Sequence, residues 1–379
     1  MNQLHLILGR PSRRGFTLIE MMVGLAVGLV ATVVVVQVLS FAEGQKRSTT
    51  GGADAQVSGA LALYAIQRDV QMAGYGFASS PGSLGCALSY SYKGATIAGF
   101  PAALVPVTIT QGAGGTPDSI RVLSANKTNS SVPTRIIPPG YDPALPAKAK
   151  SFPVTSSLGI KSGDLLVAVS DSPVPVPCGL FQATADGGAG SVPRADDTTG
   201  WNAAGQPATA YGDGSYLVNL GQLIDHSYDI NTATSAMRQT VFSAGAGNYA
   251  INDAQPGIVQ LKALYGKCST CTDTISGPID SYDNVTPTTN AGWLQVTAIR
   301  VAVVARSGQY EKDAVTSVDQ NSTGILWDVG TAAPVAGSAT CHGTSNCLTL
   351  KLDGTANWTH YRYKVYDTVI PLRNLLWKS

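Results

Sequence analysis

The stretch that decides the fold runs from Arg13 to Glu43 and reads RRGFTLIEMMVGLAVGLVATVVVVQVLSFAE. Residues 21–42 carry no charge, and as an α-helix they would rise about 33 Å at about 1.5 Å per residue. The hydrocarbon core of a bilayer is about 30 Å thick, so this segment is long enough to cross it. Basic residues flank the cytoplasmic end of such a span, which predicts one crossing with the bulk of the chain outside.

Glu20 separates the possible interpretations of this segment, because a lone carboxylate in an apolar run is unfavourable. A conventional signal peptide could be cut near residues 40–42, but its apolar region would be shorter. A plain membrane anchor has no use for Glu20, unless the side chain extends to the lipid headgroups. A third interpretation gives Glu20 a charged partner inside the membrane.

Residues 13–20, Arg-Arg-Gly-Phe-Thr-Leu-Ile-Glu, resemble the class III signal of type IV pilins and their relatives. The resemblance implies that a prepilin peptidase cuts after Gly15 and N-methylates Phe16, so that the apolar helix is retained. It also implies that Glu20 pairs with the Phe16 amine of a neighbouring subunit, since lipid penalises either charge alone.

The chain is expected to have four parts: a basic leader (1–15) that is removed, a transmembrane or filament-core helix (16–42), an amphipathic continuation (43–75) and a β-rich head with long loops (76–379). We expect one helix from about 16 to 74, weakened in the glycine-containing segment 43–52. Helical spacing predicts an apolar face formed by Ala60, Leu63, Ile66, Val70 and Ala73.

The rest of the chain has the composition of β-strands bounded by Gly, Pro or Asp. The predicted strands are Ser119–Leu123, Asp164–Ser170, Ser215–Leu220, Leu294–Ala305, Cys347–Leu352 and His360–Ile370. The apolar residues of segment 258–265 fit either the helical or the strand period. Long loops are expected at 133–153, 173–177 and 182–214. The fold class is therefore α+β, a long N-terminal pilin helix packed on a large antiparallel β-rich head.

Segments 63–75, 295–307 and 361–374, and less closely 261–266, resemble the PilW family of minor pilins. The resemblance implies a non-catalytic subunit that joins other minor pilins in a complex that primes type IV pilus assembly and lies at the pilus tip. Its partners would be the prepilin peptidase, the minor and major pilins, the inner-membrane assembly platform and a tip adhesin. The N-terminus would be cytoplasmic and the head periplasmic, then extracellular in the pilus. A J-type minor pseudopilin of type II secretion and a tip adhesin or binding module are the alternatives.

The cysteines number six and all lie in the part expected outside the membrane: Cys86, Cys178, Cys268, Cys271, Cys341 and Cys347. An even number in an oxidising compartment favours disulfides. Proximity suggests Cys268–Cys271 and Cys341–Cys347, which leaves Cys86 and Cys178 as a long-range pair. The alternative is a structural zinc site formed by Cys268 and Cys271 with Cys341, His342 or Cys347. A redox Cys-x-x-Cys pair would need a βαβ context that this sequence does not predict.

Charge and motifs argue against nucleic-acid binding and catalysis. The 25 Lys and Arg residues nearly balance 24 Asp and Glu, and removal of the leader would leave a net charge of −2, a weak basis for phosphate binding. No Gly-x-Ser-x-Gly, His-Glu-x-x-His or Walker motif is present, so we expect no enzyme, metal or cofactor. Asp280, Asp283 and Asn284 could ligate calcium, although a solvated acidic loop explains them more simply.

Overall fold

The computed structural model describes residues 15–80, 82–127, 132–171, 176–195, 200–203, 205–272, 274–316, 323–331 and 335–376. They divide into two units, one that ends at Ala53 and one that begins at Asp54.

The first unit contains the N-terminal part of helix α1, which spans Leu18–Met72. The apolar side chains of this part are exposed in the isolated chain, and among the described residues α1 is the one helix long and apolar enough to cross a membrane. The predicted long helix is confirmed, and α1 continues without a break through the glycine-containing segment 43–52. Each glycine in a helix costs only about 1 kcal/mol relative to alanine, which a long helix tolerates.

The second unit begins with the last turns of α1, which pack on the head. Their buried side chains are Ala55, Ala62, Ile66 and Val70. Ile66 and Val70 belong to the predicted apolar face, but Ala60 is exposed, because the buried positions recur mainly in steps of four around Ala62. The helix is followed by Gly74, which has a φ of +76° and whose N–H donates to the Leu123 carbonyl at 2.9 Å.

The remaining elements are mostly short strands. They are β1 (Leu88–Ser89), β2 (Val107–Thr110), β3 (Ser119–Ala125), β4 (Thr134–Arg135), β5 (Ser151–Pro153), β6 (Leu165–Val169), β7 (Cys178–Gln182), β8 (Ser191–Pro193), β9 (Tyr216–Gly221), β10 (Leu223–Asn231), β11 (Ala236–Ser243), β12 (Asn248–Pro256), β13 (Ile258–Lys267), β14 (Ser281–Asp283), β15 (Val296–Arg306), β16 (Gly324–Gly330), β17 (Ala339–His342), β18 (Ser345–Lys351) and β19 (Tyr363–Pro371). Two short α-helices, α2 (Asn290–Leu294) and α3 (Arg373–Leu376), and two 3₁₀ turns, Ala113–Gly115 and Trp358–His360, complete the described structure.

The strands form sheets in the orders β1-β7-β6-β9-β4, β12-β11-β10-β3-β2, β14-β13-β15-β19, β16-β18-β17 and β5-β8. The pairs are antiparallel, except that β1 and β7 run parallel. The head is thus antiparallel and β-rich, as predicted.

Three apolar clusters hold the head together. The largest joins the inner face of α1 to the β10 and β13–β15 sheets. A second fills the space behind β6, β7 and β9, around stacked Phe152 and Phe181. A third packs the β16–β18 sheet on the outer face of β13, β15 and β19, around Trp327 and Leu350.

The six predicted strands correspond to observed strands within a few residues at each end. Residues 258–265, which fitted either period, form β13, buried between its neighbours. The sequence did not predict β10, β11 and β12, whose polar and apolar residues alternate irregularly. The expected loops at 133–153 and 182–214 contain the short strands β4, β5 and β8.

Candidate functional site

Thr17 and Glu20 cap the N-terminus of α1. The Thr17 backbone N–H donates to Glu20 Oε2 at 2.9 Å, the Thr17 hydroxyl donates to the same oxygen at 3.0 Å, and the Glu20 N–H donates to Thr17 Oγ1 at 3.2 Å. This is a capping box, which satisfies amide groups that the first turn of a helix leaves without partners. The Thr-x-x-Glu spacing was visible in the sequence, so this role of Thr17 could have been predicted.

Glu20 keeps capacity for another donor. Both bonds from Thr17 end on Oε2, whereas an ionised carboxylate accepts through two oxygens with about four lone-pair sites. Oε1 is therefore available to a cation without loss of the cap. Phe16 lies beside this site and is exposed.

Of the predicted leader, Gly15 is described, whereas residues 1–14 lie outside the described residues. In the isolated chain the apolar side chains that follow Glu20 are exposed as well. An ionisable carboxylate thus lies at the N-terminal end of an apolar surface that the other described residues of its unit leave exposed. Such a surface suits lipid or the helices of other subunits.

The six cysteines form three disulfides in the structure. They are Cys86–Cys178, Cys268–Cys271 and Cys341–Cys347, with sequence separations of 92, 3 and 6 residues. The first joins the segment after α1 to β7, which also pairs with β1. The other two close local loops.

The donors of the possible metal sites have other partners. Cys341, His342 and Cys347 offer ligand atoms within 4.8 Å of one another, but the two cysteines are joined and cannot act as thiolates. Asp280 accepts from the N–H and the hydroxyl of Ser269, both at 2.7 Å, and these hydrogen bonds hold the pKa of Asp280 below its ordinary value. Because the cysteines of the zinc alternative form the disulfides Cys268–Cys271 and Cys341–Cys347, the described residues give no support to that alternative.

Asp283 is likewise engaged, with Lys267 Nζ at 2.7 Å and the Val285 N–H at 2.9 Å. The acidic loop at 280–284 thus uses both carboxylates for its own folding. Two of the described histidines have unrelated partners: His360 Nδ1 is 2.9 Å from the Glu311 carbonyl oxygen, and His226 Nδ1 is 2.6 Å from Asp69 of the helix.

A polar cluster that the sequence analysis missed fixes α1 on the head. Asp69 Oδ2 lies 2.6 Å from His226 Nδ1 and accepts from the Tyr228 hydroxyl at 2.6 Å. Because a carboxylate can only accept, His226 carries a proton on Nδ1 here. Gln239 Nε2 completes the cluster by donating to the Tyr228 hydroxyl at 2.9 Å. Asp69 and His226 are 157 residues apart in the sequence, so no local sequence pattern predicts their contact.

The pKa values follow this arrangement. Burial by itself raises the pKa of Asp69, but the bonds from His226 and Tyr228 outweigh it and hold the pKa below its ordinary value. Burial and the nearby Asp69 charge raise the pKa of Tyr228, which therefore stays a hydroxyl donor. The cluster is a set of hydrogen bonds that joins α1 to β10 and β11.

Two known family models match this chain, one near its N-terminus and one in its C-terminal part. Residues 10–36 match the prokaryotic N-terminal methylation motif, and residues 224–374 match PilW, the type IV pilus-assembly protein W. The chain matches a PilW-family, prepilin-type minor pilin. No curated protein and no solved structure matches it.

The PilW match begins inside β10 and ends inside α3. It contains His226 and Tyr228, which hold Asp69 of the helix. The family and the methylation motif describe a pilin of type IV pilus assembly, a structural class with no known enzymatic activity, and imply a prepilin peptidase and other pilus components as partners. The motif and the apolar helix also fit anchoring in the inner membrane.

Proposed function

We propose that this PilW-like protein is a non-catalytic minor pilin that joins other minor pilins in a complex that primes type IV pilus assembly and lies at the pilus tip. In this proposal the peptidase cuts after Gly15 and methylates Phe16. The N-terminus is cytoplasmic and the head periplasmic, until the protein enters the extracellular pilus. The four parts are the leader 1–15, the membrane helix 16–42, its continuation 43–75 and the head 76–379.

The observation that carries the proposal is the geometry of Glu20. Its Oε2 is used by the capping box, while Oε1 is free to accept from a cation. Cleavage would create that cation as the α-amine of Phe16, and the amine of a neighbouring subunit would approach Glu20 in lipid. Each charge is unfavourable alone in that environment, so their pairing selects one register between helices.

The match to a type IV pilus-assembly family supports pilus assembly over the type II secretion alternative. The net charge of +1 gives no support for a nucleic-acid target at the tip. The major pilin, the assembly platform and a tip adhesin remain proposed partners.

The test compares Glu20→Ala with Glu43→Ala, another exposed acid on the same helix. We expect Glu20→Ala to be cleaved normally but to reduce incorporation and surface piliation, whereas Glu43→Ala should behave as wild type. Both variants are scored at equal protein level by immunoblotting of sheared pili.

Mass spectrometry of the mature wild-type protein adds an independent measurement. We expect an N-methylated phenylalanine at position 16 and a leader retained in Gly15→Val. Normal piliation in Glu20→Ala, or a different mature N-terminus, would refute the proposed pairing.

A further inference from the structure

A lysine, an aspartate and an asparagine meet where the two five-stranded sheets of the head adjoin. Lys127 follows β3 of one sheet, whereas Asp164 precedes β6 and Asn219 lies in β9 of the other. Lys127 Nζ donates to Asp164 Oδ2 at 2.7 Å, and Asn219 Nδ2 donates to the same oxygen at 3.0 Å. Because two donors on one oxygen are neighbours, a primary amine lies next to a side-chain amide.

Two backbone N–H groups complete the site. The Gly221 N–H donates to Asn219 Oδ1 at 2.9 Å, and the Lys161 N–H donates to Asp164 Oδ2 at 2.8 Å. Gly221 also allows the lysine to approach, since a Cβ at this position, where φ is +63°, would lie 3.3 Å from Lys127 Cδ. The lysine side chain therefore lies against the turn that follows the asparagine.

The three side chains are largely withdrawn from water. The side chain of Lys127 is 17% exposed and that of Asp164 12%, and Asn219 is buried. Burial removes hydration from both charges, so a neutral amine beside a neutral acid is less unfavourable here than in water. The ion pair between Lys161 and Asp186 differs, because its side chains are 64% and 59% exposed.

The arrangement contains the groups that an amide transfer needs. A desolvated lysine amine is a nucleophile, and a carboxylate in contact with it can take its proton. The Gly221 N–H binds the oxygen of Asn219 on which negative charge would develop, as a donor of an oxyanion hole does. Asp164 Oδ2 contacts both the nitrogen that would attack and the nitrogen that would leave. One carboxylate can therefore carry protons between them.

We propose that Lys127 and Asn219 form an intramolecular amide bond, with Asp164 as the proton carrier. Asp164 takes a proton from the Lys127 ammonium, and the neutral Nζ then attacks Cγ of Asn219. The Nζ–Cγ bond forms, the Cγ–Nδ2 bond breaks, and Nδ2 leaves as ammonia with the proton from Asp164. Asp164 then takes the second proton from Nζ and releases it to water. The net change is the loss of one ammonia, with no oxidation or reduction.

The bond would join the two sheets covalently at the base of the part formed by β4 to β9. The disulfide Cys86–Cys178 already ties β7 of this part to the segment after α1. An amide bond differs from a disulfide because reductants do not open it. The two sheets would therefore stay joined after all three disulfides are reduced.

Peptide mass spectrometry of the mature full chain, purified from its native membrane, tests the bond. The protein is reduced, alkylated and digested, so that the disulfides cannot hold peptides together. We expect a branched peptide that contains Lys127 and Asn219 and weighs one ammonia less than the two linear peptides together. Recovery of the linear peptides alone from the wild type overturns the proposal. This measurement needs no substitution, so it decides the proposal even where a variant fails to fold.

Substitutions separate the reaction from mere proximity. Asp164→Asn keeps both reacting side chains and removes the proton carrier, so we expect the branched peptide to fall about tenfold or more. Lys161→Ala is the matched control, because the Lys161 Nζ binds Asp186 and its backbone N–H to Asp164 is retained. This control should keep the wild-type amount. Equal amounts in Asp164→Asn and wild type would overturn the proposed reaction.

Discussion

The contact between Asp69 and the head gives a quantitative test of how α1 is held. Asp69→Asn keeps the size of the side chain and removes its charge. Both hydrogen bonds to Oδ2, from His226 and Tyr228, then change from charge-assisted to neutral. Charge-assisted bonds are about twice as strong as neutral ones, so each change costs about 1 kcal/mol, and the free energy of unfolding should fall by about 2 kcal/mol.

The assay is thermal unfolding of the full chain in detergent, followed by tryptophan fluorescence. For a unit the size of residues 54–379, 1 kcal/mol corresponds to about 1.5 °C, so the midpoint should fall by about 3 °C at pH 7. Asp54→Asn is the control, because Asp54 is an exposed acid on the same helix. Equal midpoints for the two variants would refute the reasoning.

The dependence of this stabilisation on pH tests whether Asp69 is ionised in the folded chain. The pKa of Asp69 is lower in the folded chain than its ordinary value, so the stabilisation is complete above about pH 4, the ordinary Asp pKa, and is lost as the pH falls through the lower folded value. The difference between wild type and Asp69→Asn should therefore shrink on acidification. A difference that stays constant from pH 7 to pH 3 would contradict an ionised Asp69.

Three further variants test the packing of the head. Because their sequence separation is 92 residues, replacing both Cys86 and Cys178 by alanine should lower the free energy of unfolding by about 4 to 5 kcal/mol, measured by denaturation against the oxidised wild type. The reduced wild type should lose more, because reduction also opens the two local disulfides. Gly76→Ala should cost about 2 kcal/mol or more, seen as a lower midpoint, since φ is +87° and a Cβ would lie 2.5 Å from the Cβ of Ala125. Ile66→Ala, at a side chain with no exposure, should cost about 2 to 5 kcal/mol in the same assay; a cost below 0.5 kcal/mol would place Ile66 outside the core.

The apolar run and its single acid could be recognised from the sequence because a membrane imposes a length and a charge rule on consecutive residues. The capping box at Thr17 and Glu20 follows an equally local rule. The sheet edges were harder to predict, since β12 is largely exposed and its residues do not alternate.

The sequence by itself determined the long apolar segment, its carboxylate, the α+β class and which cysteines are near neighbours, because each of these depends on residues close together in the chain. Only the tertiary structure decided that α1 buries Ala62 rather than Ala60, that Asp69 contacts His226 from 157 residues away, and that the described residues leave the opposite face of the helix exposed. Those features depend on which sheet packs on which side of the helix. Loop closure brings residues of the helix and the sheets together from distant parts of the chain, so no local sequence pattern predicts their contacts.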